Sequence, residues 1–134
     1  EKWALEPCRR ATRAFRQAGG LVFLHNSEED LEALRLQSMT EPSILSIGPG
    51  IDISRAKAAL PEQAIMGNID PIQLLQLGSA SQVAAETDRL VRVAAGGGMI
   101  VNSGECIPRE AKGPNLHTMV DTAKKIWNIV HART

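Results

Sequence analysis

Tyrosine is absent from this 134-residue chain, and only two Phe and two Trp are present. So few aromatic rings argue against a surface that stacks bases or sugar rings. Charge of one sign is missing too: 15 basic side chains balance 15 acidic ones, and the zero net charge removes the electrostatic footprint of a nucleic-acid binder. Arg9, Arg10, Arg13 and Arg16 do cluster, but at helical spacing, as on a solvated helix face. No apolar run approaches the ~20 residues that cross a bilayer. The N-terminus carries no signal-peptide pattern, so the expectation is no membrane association and a cytoplasmic location. The two cysteines, Cys8 and Cys106, have no CxxC spacing and read as reduced thiols.

What is present is enough apolar material, 43% of the residues, for one domain over residues 1–134. Short apolar runs alternate with amphipathic segments. Glu6-Pro7 opens a helix with Cys8, Ala11, Phe15 and Ala18 at three- and four-residue spacing, and Gly19-Gly20 closes it. Strands are expected at 21–25, 44–47, 64–69 and 99–103. Their intervals of about 20 to 35 residues suit right-handed βαβ crossovers. Between them, Ser27 reads as the cap of a second helix. A short helix is expected from Ser54 to Leu60, and Asp70-Pro71 is a cap followed by a helix-starting proline. Ser79-x-x-Gln82 matches a capping box. The last helix places Leu116, Met119, Val120, Ala123, Trp127 and Val130 on one face. The fold class is therefore α/β: four βα units on a parallel sheet.

In such a sheet every strand ends on the same rim, where ligands bind. The strand ends here carry His25, Gly48-Pro49-Gly50, Asn68 with Asp70, and Gly104-Glu105-Cys106. His25 is a candidate proton carrier or metal ligand, and Asp70 a helix cap or a base. Glu105 and Cys106 are a carboxylate and a thiol of which at most one faces a common ion. His117 and His131 lie on the last helix, away from this rim, and receive no role.

Gly67-Asn68-Ile69-Asp70-Pro71 with Leu74-Leu75 and Gly78, the glycines before Met99-Ile100-Val101, then Gly104-x-x-Ile107-Pro108 and Asn115-Leu116, resemble the uroporphyrinogen decarboxylase superfamily. That superfamily includes cobamide-dependent methyltransferases. The resemblance implies a (β/α)₈ barrel of which this chain is the C-terminal half. It implies an enzyme, a methyltransferase working with a corrinoid (cobalamin) as methyl carrier on a partner protein, and a small-molecule methyl acceptor. His25, Asp70 and Glu105 would be catalytic, and Asn68, Gly104 and Cys106 substrate-binding. The methyltransferase branch holds zinc through His-x-Cys and a Gly-Cys-x-Ile-Pro turn. Here the first reads His25-Asn26-Ser27 and the second Gly104-Glu105-Cys106-Ile107-Pro108, which implies a zinc site made by His25 and Glu105. Tetrapyrrole decarboxylation and a non-catalytic half-barrel assembly module are the alternatives. A half barrel has open edges, and inner residues expected at Val22, Leu24, Ile65 and Val101 would lack partners. A homodimer, or association with the missing half, follows.

Overall fold

The computed structural model describes residues 3–132. Helix α1 (Leu5–Gln17) precedes strand β1 (Phe23–Leu24), followed by α2 (Leu31–Ser38), β2 (Ile44–Ser46), α3 (Ile53–Ala59) and β3 (Ala64–Ile69). A π-helical turn (Pro71–Gln76), α4 (Ala80–Val93), a 3₁₀ turn (Ala94–Gly96), β4 (Met99–Ser103) and α5 (Gly113–His131) complete the chain. The four strands form one parallel sheet in the order β1-β2-β3-β4. Right-handed crossovers that always step the same way put α2, α3 and α4 on one side of the sheet. The arrangement is that of a partial TIM barrel, half of the eight strands that close one.

Register decides which side chains meet those helices. Leu24, Leu45, Ile65 and Met99 lie side by side across the sheet, and Leu45, Ile47, Ile65 and Ile69 are fully buried. They pack with Leu34 of α2, Ile53 and Ala56 of α3, and Val83 and Leu90 of α4. Strand side chains alternate between faces, so Phe23, Ile44, Ser46, Ala64, Met66, Asn68, Ile100 and Asn102 occupy the opposite face, the lumen side of a barrel. This corrects the expected inner set. Leu24 and Val101 pack against the helix-side core and Ile65 belongs to it, while Val22 precedes β1. Continuously apolar strands carry no alternation from which the face can be read.

The helix ends follow the sequence closely, with one shift. Ser79 accepts from the Gln82 amide while Gln82 Oε1 accepts from the Ser79 amide, completing the capping box. Asp70 caps the π turn, and Pro71 sits at its start. The second helix is capped by Asp30, whose Oδ1 accepts from the Ala33 amide at 2.9 Å, not by Ser27. The chain from Asn26 to Asp30 instead forms a turn in which Asn26 Oδ1 and Glu28 Oε1 take up the next amides.

Two apolar faces also differ from expectation. In α1 only Thr12 is buried, while Cys8 and Phe15 are exposed. The helix flanks a two-residue edge strand and has no extensive partner. On its polar face Arg13 pairs with Glu41 and Arg9 with Glu6. In α5, Asn115 and Ile126 are buried, with Leu116 and Met119 against the core, whereas Val120 and Trp127 are exposed. The buried stripe is rotated by about one position because α5 docks on α4 and on the π turn.

Candidate functional site

The rim begins at β1, where His25 follows the strand on the lumen side. Its Nδ1 lies 3.1 Å from Ser46 Oγ, and its ring sits 5.6 Å from the Phe23 ring. Ser46, on the lumen face of β2, is 4% exposed. Its hydroxyl also receives the Asn26 amide at 2.7 Å and donates to the Asn26 carbonyl at 2.6 Å. Asn26 Nδ2 reaches Gln37 Oε1 at 2.7 Å. The loop that carries His25 is thus tied down on both sides.

After β2 the chain turns through Gly48-Pro49-Gly50. A Cβ on Gly48 would lie 2.5 Å from the Ser27 carbonyl oxygen and 2.6 Å from Glu29 Cγ, so only glycine lets the two loops meet. The Gly48 amide donates to the Glu28 carbonyl, and the Gly50 amide to Glu29 Oε1 at 2.6 Å. At the end of β3, Asn68 is 5% exposed. Its Nδ2 donates to the carbonyls of Gly48 at 3.0 Å and Ile51 at 2.7 Å. Because both partners are acceptors, the amide orientation is fixed, and among the described residues the buried Oδ1 has no partner. The Gly67–Asn68 peptide is cis. Asn102 on β4 stands in register with Asn68.

Asp70 uses Oδ1 to accept the Ile72 and Gln73 amides, each at 2.8 Å. Its position is the rim, and its visible work is capping. Gly104 is buried, with its amide donating to the Ile69 carbonyl at 2.8 Å. A Cβ there would lie 2.6 Å from Pro49 N, so the loop after β4 closes onto the loop after β2. Glu105 and Cys106 are exposed on that loop, and among the described residues neither has a hydrogen-bond partner.

The structure therefore brings Asn68, Gly104 and the Gly48–Ile51 turn together and ties His25 to Ser46. It does not bring His25 and Glu105 together. They follow the two edge strands, about 14 Å apart across three strand spacings. A catalytic zinc site takes three protein ligands. Among the described residues no group of three or more His, Cys, Asp or Glu could hold a metal ion. The Ser27 carbonyl packs against Gly48. The donor set here does not fit the zinc site that the resemblance implies.

Cations are few on the rim. Lys112 donates to the Leu77 and Gly78 carbonyls at 3.1 and 3.0 Å, and Asn115 Nδ2 lies 3.0–3.2 Å from the carbonyl oxygens of Leu74, Leu75 and Gly78. Together they satisfy the carbonyl end of the π turn. The carboxylates held low in their titration belong elsewhere. Hydrogen bonding to Arg13 lowers Glu41, the Arg55 amide chiefly lowers Asp52, and Arg92 lowers Asp88.

Ser46, Glu29 and Asn102 are rim residues absent from the candidates read off the strand ends. Ser46 had a signal, as the one hydroxyl within the apolar run Ile44–Ile47. Glu29 had none, since its role depends on the approach of the next loop. His25 itself lines, with Leu5, Cys8, Leu24 and Leu36 among others, an apolar groove of about 310 Å³ between α1 and α2.

The family model described as uroporphyrinogen decarboxylase (URO-D) matches residues 1–126. A uroporphyrinogen decarboxylase of Synechococcus sp. (strain JA-2-3B'a(2-13)) is 32% identical over 82 residues, covering 61% of this chain and 23% of the relative. The methylcobamide:CoM methyltransferase MtbA of Methanosarcina mazei is 26% identical over 124 residues, 92% of this chain and 36% of the relative. MtbA of Methanosarcina acetivorans is similar to the same extent. The chain thus spans between a quarter and about a third of the length of these relatives.

Proposed function

We propose, since the chain belongs to the uroporphyrinogen decarboxylase (URO-D) family, that it is the C-terminal half of a corrinoid-linked methyltransferase barrel. The observation that carries this reading is the lumen rim itself. His25 and Asn102 give it neutral hydrogen-bonding groups, suited to a small polar methyl acceptor, while the buried Ser46 and Asn68 brace the loops around them. Similarity to the two MtbA sequences over 92% of the chain supports the same branch.

In this reading a methylcobamide, carried by a partner protein, supplies the methyl group. The chain's own residues bind and orient the acceptor. His25 meets it at one edge of the half barrel, Asn68 holds the turn after β2 and Asp70 fixes the start of the π turn, while Glu105 and Cys106 line the opposite edge. No step is routed through zinc. His25 is the one imidazole this rim offers to a metal, and further ligands would have to come from outside the chain.

The bare lumen face also needs a cover. Open edges and exposed Phe23 and Ile100 invite pairing. Two copies supply eight strands about a two-fold axis, with β1 of each meeting β4 of the other in parallel.

Tetrapyrrole decarboxylation is the second reading, favoured by the 32% identity to a decarboxylase. Against it, a substrate with many carboxylates calls for cations. Lys112 is engaged by carbonyls, which leaves Arg109 as the nearest free one.

The test is a paired assay of the assembled chain: demethylation of methylcobalamin with a thiol acceptor, followed by absorbance, and decarboxylation of uroporphyrinogen, followed by chromatography. Turnover of the first alone supports the methyltransferase reading. Turnover of the second alone overturns it.

A further inference from the structure

The hydrogen-bond inventory around Ser46 fixes more than a loop. A serine hydroxyl has one proton to give and two lone pairs to receive with. The Asn26 carbonyl oxygen lies 2.6 Å from Ser46 Oγ, a separation that two oxygens hold only with a proton between them. Among the described residues the Asn26 carbonyl has no other donor. The Leu24 carbonyl, at 3.5 Å, is the weaker competitor for that proton. The Asn26 amide, 2.7 Å away, takes one lone pair of Oγ. One lone pair remains, and His25 Nδ1 faces it at 3.1 Å. Nδ1 must then be the donor. With Ser46 only 4% exposed, water does not relieve the constraint.

We propose that Ser46 is a positioning residue that holds His25 in the Nδ1–H tautomer, so that an unprotonated Nε2 serves the rim as an electron-pair donor. A histidine's reactive nitrogen is set by the bond its other nitrogen makes. Nε2 has no partner among the described residues, and His25 is exposed. The imidazole is braced by the Phe23 ring on its own strand and by a loop that Asn26 anchors to Gln37 and to the Glu28 amide. Its Nε2 is therefore an acceptor of defined position. The ligand group it fits presents a hydrogen toward it, as a neutral thiol, hydroxyl or ammonium does. This use of the nitrogen rests on the rim being the binding site, as proposed above. The tautomer does not depend on which reaction the rim serves.

The experiment is a long-range ¹H–¹⁵N correlation spectrum of the full ¹⁵N-histidine-labelled chain. It is recorded about two pH units above the ordinary imidazole value, with His25→Gln identifying the signals. The expected spectrum shows Nδ1 with a protonated, pyrrole-like shift and Nε2 with a pyridine-like one. In Ser46→Ala the pattern should move toward the Nε2–H form that free imidazole prefers, while His117 and His131 stay as they were. A wild-type His25 already in the Nε2–H form overturns the inference. So does an unchanged tautomer in a folded Ser46→Ala chain. Should that variant fail to fold, the wild-type spectrum alone decides. Failure here would leave the methyltransferase reading standing, and an inactive chain with the expected tautomer would do the reverse.

Discussion

The two faces of the sheet obey different rules. On the helix side Leu45, Ile47, Ile65 and Ile69 are sealed from water and surrounded by aliphatic side chains of α2, α3 and α4. On the lumen side the composition is graded along the strands. Along each strand an apolar residue (Phe23, Ile44, Met66, Ile100) precedes a polar one (His25, Ser46, Asn68, Asn102), and Ser46, Met66 and Ile100 share one level of the register. Two large lumen-side residues, Phe23 and Ile100, are 44% and 45% exposed. One face is sealed by helices, while the other keeps large apolar side chains in contact with water, one residue apart in sequence.

Paired truncations break the comparison most sharply. Ile65→Ala, on the helix side, should cost about 2–5 kcal/mol in urea unfolding. Ile100→Ala, on the lumen side, should cost under about 1 kcal/mol in the isolated chain, because water already reaches it. Equal costs would mean that the lumen face is as well packed as the core.

Asn68 tests the polar end of the lumen face. Asn68→Ala leaves the carbonyls of Gly48 and Ile51 without their donor, at a cost of about 1–3 kcal/mol. It should also speed amide exchange in the 48–51 turn more than in α4. A uniform change across the chain would deny Asn68 its hold on that turn.

Asp70 separates capping from chemistry. Asp70→Ala should lose about 1 kcal/mol, whereas Asp70→Asn keeps an acceptor for the Ile72 and Gln73 amides and should remain near wild type in a thermal melt. If Asp70→Asn then lost turnover, the carboxylate would have a role beyond the cap.

The smallest effect concerns pH. Asp52 titrates below its ordinary value, first through the Arg55 amide and also through Ser54 and Arg89. Its folded-state value lies below the unfolded one, so its contribution is present above about pH 4 and fades as the pH falls through the folded value. Asp52→Asn keeps a cap but should flatten that part of the acid side of the stability profile. An unaltered profile would remove Asp52 from the account.

Much of this was legible in the sequence because it is local. Capping residues act within one turn, so Ser79, Asp70 and the strand-helix alternation could be read directly. The run Ala64–Ile69 became β3 with the expected limits. What could not be read depends on contacts across the fold. The spacing of Cys8, Ala11, Phe15 and Ala18 shows that α1 has an apolar stripe but not whether anything lies against it. The runs Ile44–Ile47 and Ala64–Ile69 are apolar on both faces, so the lumen side emerged only from the register with β1 and β4. Ser27 and Asp30 are both cap residue types, and the helix starts at Leu31, directly after Asp30, whose side chain accepts the Ala33 amide. The strands that the candidate rim residues follow run parallel in one sheet. The grouping of those residues, with Asn68 and Gly104 locked to the β2 turn and His25 tied to Ser46, is a property of the assembled sheet.

The exposed lumen face leads to the proposal that a second copy closes it. Sedimentation velocity at micromolar concentration, with a hydrophobic dye present in a parallel sample, tests this most directly. The account predicts a species of twice the 14.5 kDa chain mass with little dye bound. A stable, compact monomer at the chain mass that binds no dye would contradict it.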